Sequence, residues 1–115
     1  MSPPSLEPQG LTRSCHEVLI LAALAGGAKH GYQLGLDIEA ASNGNFRFKH
    51  GTLYPILHSL ENQGLIEGRW DEDAPRRRRK SYLLTDAGRQ RLADEAEAWR
   101  EFFHNFFAIV DQGEP

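Results

Sequence analysis

Apolar residues are spaced along this chain in helical and extended runs, and the run over 51–66 is the most fully specified. Leu53, Ile56, Leu57 and Leu60 repeat at helical spacing and make one face of a short helix. Tyr54, Pro55 and His58 fall on the other face. Proline lacks an N–H and is cheap only in a first turn. The helix is therefore expected to begin close to Gly51 or Thr52, with Thr52 as its cap. Gly64 fits the left-handed residue after the last turn, and Leu65 behind it folds back on the apolar face.

The other elements follow from the same pattern. Ser14 and Glu17 have the spacing of a capping box, and the run 18–24 behind them is apolar nearly all round. This predicts a central first helix beginning near Ser14 and ending at Gly26 and Gly27. A second helix is expected over about 30–41, with Leu34, Ile38 and Ala41 inward. Phe46, Arg47 and Phe48 alternate and predict a very short strand. Residues 65–70 and 81–84 read as two strands around a polar loop, a hairpin with a long charged tip. Thr85 then caps a last helix, with Asp86 in its first turn. In that helix Leu92, Ala96, Trp99, Phe103, Phe106 and Val110 are spaced 4, 3, 4, 3, 4, a coiled-coil seam that Phe102, Phe107 and Ile109 widen. So much apolar surface exceeds what a small domain covers alone. Part is expected to cover the first helix and part to pair with a second chain as a symmetric dimer.

This gives a mainly α fold with a small β-hairpin. A loose arm is expected over 1–12, a DNA-binding unit over 13–85, a dimerisation helix over 86–111 and a disordered tail over 112–115. Helix, helix, helix with a polar leading end, then hairpin is the order of a winged helix-turn-helix. The leading end of the third helix is suited to phosphate, because its N–H groups and dipole attract anions.

Charge sharpens that reading. The 115 residues carry a formal net charge of −3, which is not the balance of an average nucleic-acid binder. The cations are clustered, however: Arg76, Arg77, Arg78, Arg79 and Lys80 are consecutive, at the hairpin tip. Distant carboxylates are screened beyond about 8 Å at physiological salt, so such a patch still attracts phosphate. Asp71, Glu72 and Asp73 across the loop are placed to pair with it. A single cysteine, Cys15, excludes an internal disulfide and suits a small buried role in a reducing cytoplasm. No apolar run approaches a membrane span and no signal-peptide pattern opens the chain, so a cytoplasmic protein is expected.

Three motifs also carry a family resemblance. They are His30-Gly31-Tyr32; Gly51-Thr52-Leu53-Tyr54-Pro55-x-Leu57-x-x-Leu60-Glu61-x-x-Gly64-Leu65-Ile66; and Arg78-Arg79-Lys80-x-Tyr82-x-Leu84-Thr85-x-x-Gly88. Over about 19–92 the chain closely resembles the PadR family of bacterial transcriptional regulators, in its compact subgroup with one C-terminal helix. The resemblance implies a homodimeric, repressor-like regulator that binds double-stranded operator DNA and dimerises through the last helix, often with the first helix taking part. It also implies release by a small, possibly aromatic effector held between protomers beside an aromatic residue of the last helix. Trp99, with Phe103 one turn on, is the residue that matches here.

In the arrangement the resemblance implies, the third helix enters the major groove by its N-terminus. Lys49, His50, Thr52, Tyr54 and Pro55 then lie nearest the duplex, with His58 one turn further on. Thr52 and Tyr54 hydroxyls suit phosphate oxygens and position the protein, whereas His50 and His58 are candidates for base edges. Tyr32 is placed to hold a phosphate as the family's residue does, its bland alternative being packing against the third helix. Arg76, Arg77, Arg78, Arg79 and Lys80 become the wing, with arginine in a narrow minor groove or on flanking phosphate. Pro75 stands where the family's wing often has glycine, which implies a stiffer tip. The predicted dimer interface is Leu92, Ala96, Trp99, Phe102, Phe103, Phe106 and Val110.

Other classes fit less well. No Gly-rich phosphate loop, nucleophile elbow or paired carboxylates point to an enzyme. Cys15, His16, His30, His50, His58 and His104 lack a compelling ligand spacing, so neither metal nor cofactor is expected. The alternative to a DNA-binding regulator is a winged-helix module for protein contacts alone, which has no use for a cation-rich wing.

Overall fold

The computed structural model describes residues 8–71 and 79–113, with side chains described from Arg13 onward except at His50. Among these residues the order is α1 (Pro8–Leu24), β1 (Lys29–His30), α2 (Gly31–Ala41), α3 (His50–Asn62), β2 (Ile66–Trp70), β3 (Lys80–Leu84) and α4 (Asp86–Gln112). The architecture is that of a winged helix with a long C-terminal helix. The core is one cluster in which Ile20, Leu21, Leu24, Leu34, Leu57 and Leu60 are all but inaccessible to solvent. It joins α1, α2 and α3 and is closed by Ile66, Tyr82 and Leu84 from the sheet.

The sheet has three strands in the order β1-β3-β2, both pairings antiparallel. The expected hairpin is present, with Ile66 opposite Leu84 at its base and Trp70 opposite Lys80 at its last rung. The third strand is not legible in the sequence. Lys29 and His30 pair with Tyr82 and Ser81, too short a stretch to show period-two alternation. The strand expected at 46–48 is absent: those residues join no sheet. Phe46 and Phe48 are instead anchored by packing on the core, with Phe48 also 4.6 Å from the His16 ring, and Arg47 points outward.

Two helix starts and the exposure of one residue also differ from expectation. α1 begins at Pro8, not Ser14, because proline at a helix start gives up no hydrogen bond. Part of the arm expected over 1–12 is therefore helical, and 1–7 lie outside the described residues. α3 is capped by Lys49, not Thr52: the Lys49 carbonyl accepts from the N–H groups of Thr52 and Leu53, both at 2.9 Å, which places Thr52 inside the helix. Ala41 is exposed, because α2 has reached its end by then. Cys15 is half-buried, and burial pushes its thiol up from the ordinary value.

The end of α3 follows the expected form. Gly64 adopts φ 74°, its N–H donates to Glu61 O at 3.0 Å, and the Leu65 N–H reaches back to Leu60 O at 3.0 Å. That pair of bonds is a Schellman cap, and it buries Leu65. The start of α4 is fixed as firmly. Thr85 Oγ1 accepts from the Gly88 N–H at 3.0 Å and donates to Gly64 O at 2.7 Å, so one hydroxyl joins α4 to the end of α3. α4 then packs on α1 and β3.

Candidate nucleic-acid interface

Burying Leu53, Ile56, Leu57 and Leu60 turns the other side of α3 outward, and Thr52, Pro55 and His58 are exposed there. Tyr54 is half-buried, because its ring lies against the first turn of α2. A β-carbon at position 31 would stand 3.1 Å from Tyr54 Cε1 and 3.2 Å from its hydroxyl, so Gly31 is what lets the two helices close here. The next residue, Tyr32, is 61% exposed on the same side. This explains the His30-Gly31-Tyr32 motif: a strand residue that pairs with Ser81, a glycine under a tyrosine ring, and an outward tyrosine.

These residues meet the hairpin across a groove of about 760 Å³. Tyr32 and Gln33 line it from α2, Tyr54 and His58 from α3, and Trp70 and Arg79 from the hairpin. Lys49 is exposed at the cap of α3. The structure thus gathers Tyr32, Tyr54, His58 and Arg79 on one face, along the outward side of α3. His50 opens that helix. Arg76, Arg77 and Arg78 lie outside the described residues, as does most of the loop that carries them.

Lys80 is placed differently from Arg79. Its ammonium donates to Glu61 Oε1 at 2.8 Å and lies 5.4 Å from the centres of both the Trp70 and the Tyr82 rings. The other Glu61 oxygen accepts from the Gly68 N–H at 3.2 Å. The hydrogen bond from Lys80 holds the Glu61 carboxyl below its usual range, and the same bond raises the Lys80 ammonium above its own. Gly68 makes room for this, since a β-carbon there would overlap Lys80 Cε. Burial pushes the Tyr82 phenol up.

Sequence reasoning did not pick out Trp70, Gln33 or Glu61 for this face. Trp70 is 54% exposed, at the end of a strand whose other apolar residue is buried. A usable signal was Gly68, because a glycine within a strand marks a close approach by another group. Arg47 is exposed as well, and its Nε lies 3.1 Å from Glu39 Oε1.

A second surface lies at the far end of the molecule. Leu92 packs against the domain's own core, while Ala96, Trp99 and Phe102 are half-buried. Beyond them Phe103, Phe106, Phe107 and Val110 are exposed, and Ile109 is 73% exposed. Trp99 and Phe103 stack with ring centres 5.5 Å apart and planes 25° apart, and Phe106 meets Phe107 edge-on at 5.1 Å. No helix among the described residues is long and apolar enough to cross a membrane.

Comparison with known proteins gives consistent results. The family model described as the transcriptional regulator PadR-like family matches residues 20–94. Transcriptional regulator YqjI of Escherichia coli (strain K12) is 35% identical over 80 residues, 70% of this chain and 37% of that protein. The crystal structure of smu.1704 from Streptococcus mutans UA159 superposes with a TM-score of 0.73 at 31% identity, covering 99% of this chain and 96% of that one. The crystal structure of Bacillus subtilis PadR in complex with operator DNA gives a TM-score of 0.62 at 31% identity, covering 68% of this chain and 45% of that one. The chain therefore spans less than half the length of YqjI and of the Bacillus protein.

Proposed function

This chain belongs to the PadR-like family of transcriptional regulators, and from that premise we propose that it binds operator DNA as a homodimer, represses transcription and is released by a small aromatic effector. The observation that carries the DNA-binding part is the single face on which Tyr32, Tyr54, His58 and Arg79 stand together along the outward side of α3. α3 is the recognition helix, entering the major groove by its N-terminus. Lys49, Thr52 and Tyr54 meet phosphate and set the register, and His50 and His58 are nearest base edges. Pro55 lies exposed between them. Arg76, Arg77, Arg78 and Arg79 form the wing and act on a minor groove or its flanking phosphates. The likeness to a Bacillus subtilis regulator crystallised in complex with operator DNA supports DNA as the partner.

The homodimer reading rests on the exposed aromatic end of α4, which buries Trp99, Phe102, Phe103, Phe106 and Val110 against a second copy. Two copies present two recognition helices, so the operator is a pseudo-palindrome with half-sites about 34 Å apart. The effector reading rests on Trp99. A planar aromatic stacking there takes the place Phe103 occupies against the indole, and the bland alternative is that both rings are dimer core. Indole emission that quenches with a planar aromatic compound supports the pocket; emission unchanged across a panel of such compounds contradicts it.

A mobility-shift titration tests the DNA-binding reading. At two salt concentrations the protein is expected to prefer its own upstream region over random duplex and to lose affinity steeply as salt rises. Reversing charge at Arg77, Arg78 and Arg79 together abolishes that binding. Unchanged binding after reversal would instead support the protein-contact module.

A further inference from the structure

We propose that Glu61 and Lys80 are positioning residues for DNA binding: their ion pair locks the last rung of the wing to the recognition helix and so sets the angle at which the wing meets the duplex. This rests on the DNA-binding reading above. It assigns Lys80 a different part from the arginines beside it, which are taken as direct contacts.

The hairpin is held unequally along its length. At its base Ile66 and Leu84 face each other within the core, and at the middle rung Tyr82 is buried opposite Gly68. The last rung, Trp70 opposite Lys80, has no such anchor, because Trp70 is largely exposed. Beyond it the Asp71 N–H donates to Arg79 O at 2.7 Å, and there the charged tip begins. At this rung α3 reaches across. Glu61, in the last turn of the helix, binds Lys80 Nζ with one oxygen and the Gly68 backbone with the other. The carboxylate thus spans both strands. Lys80 cannot swing away without leaving Glu61 and two aromatic rings. Both side chains are largely withdrawn from solvent, at 20% exposure for Lys80 and 30% for Glu61. A surface ion pair contributes little, but one whose partners are ordered by further hydrogen bonds fixes geometry. An interface that depends on geometry within a fraction of an ångström gains from such a support.

The sign of one substitution separates positioning from charge. Glu61→Gln removes a negative charge beside DNA, so simple electrostatics makes binding tighter. Loss of the brace makes specific binding weaker. The experiment titrates the full chain and its Glu61→Gln, Lys80→Met and Lys80→Arg variants against a duplex of the protein's own upstream region and a scrambled duplex of the same composition. Thermal melts confirm that each variant is folded. Glu61→Gln and Lys80→Met are each expected to bind the upstream duplex about tenfold more weakly, the loss of a typical base contact. Neither loses affinity for scrambled DNA in proportion, and Lys80→Arg restores the wild-type preference. Wild-type preference in both disruptive variants overturns the inference, even where their melting points fall. So does a Lys80→Met salt slope reduced by about 0.9 together with tighter binding by Glu61→Gln, because Lys80 is then an ordinary phosphate contact. Wild-type protein without preference for the upstream duplex overturns the DNA-binding reading itself and this inference with it.

Discussion

Gly88→Ala is expected to lower the melting temperature by roughly 10 °C at fixed protein concentration, the effect of about 3 kcal/mol in a domain of this size. Gly88 is buried in the first turn of α4 with the end of α3 packed on it. A β-carbon there would overlap the Leu65 carbonyl oxygen, and it would stand 2.7 Å from Leu84 Cδ1. A side chain turns aside cheaply, but a backbone carbonyl in a helix cap does not. Relief therefore requires α4 to move away from Leu65, and that movement strains the Thr85 hydroxyl's bond to Gly64 O, which ties the cap of α4 to the end of α3. Thr85→Ala, which removes that cap without adding bulk, is expected to cost about 1 kcal/mol. Calorimetry or thermal circular dichroism of the two variants side by side makes the comparison. Equal melting points for Gly88→Ala and wild type would contradict the close packing.

Phe106→Asp is expected to convert a dimer to a monomer at micromolar concentration, and operator binding is lost with it. Phe106 lies in the middle of the exposed aromatic stretch, 49% accessible in the single chain. Burying a carboxylate in an apolar seam without a partner costs several kcal/mol, more than a small interface tolerates. Ala108 is exposed and lies on the opposite side of the helix from the seam, so Ala108→Asp is the control that keeps the dimer. Sedimentation velocity of both variants decides the point. A Phe106→Asp protein that sediments as wild type would mean that this surface does not join two copies.

The parts of the fold that were legible in the sequence are those set by local chemistry. Helix periodicity placed Leu53, Ile56, Leu57 and Leu60 in the core, and the glycine rule placed Gly64 at a left-handed cap. Thr85 was recognisable as a cap from its neighbours alone. What was not legible depends on residues distant in sequence. Lys29 and His30 become a strand only because β3 offers them an edge, and 46–48 fail to become one because they join no strand. The capping pattern at Ser14 misplaced the helix start, because proline at position 8 opens the helix without giving up a hydrogen bond. For the candidate site, the sequence indicated the outward residues of α3 and Tyr32. It did not separate Arg79 from Lys80, since two adjacent cations look alike until Glu61, nineteen residues away, is brought to one of them.

The central claim is that α3 and the wing, doubled by a second copy through α4, read operator DNA. A hydroxyl-radical footprint on the DNA upstream of the protein's own gene tests it most directly. The account predicts two protected half-sites related by approximate two-fold symmetry, about 34 Å apart centre to centre, with both protections lost together in Phe106→Asp. Protection that is absent, or that falls equally on unrelated duplex, would contradict it.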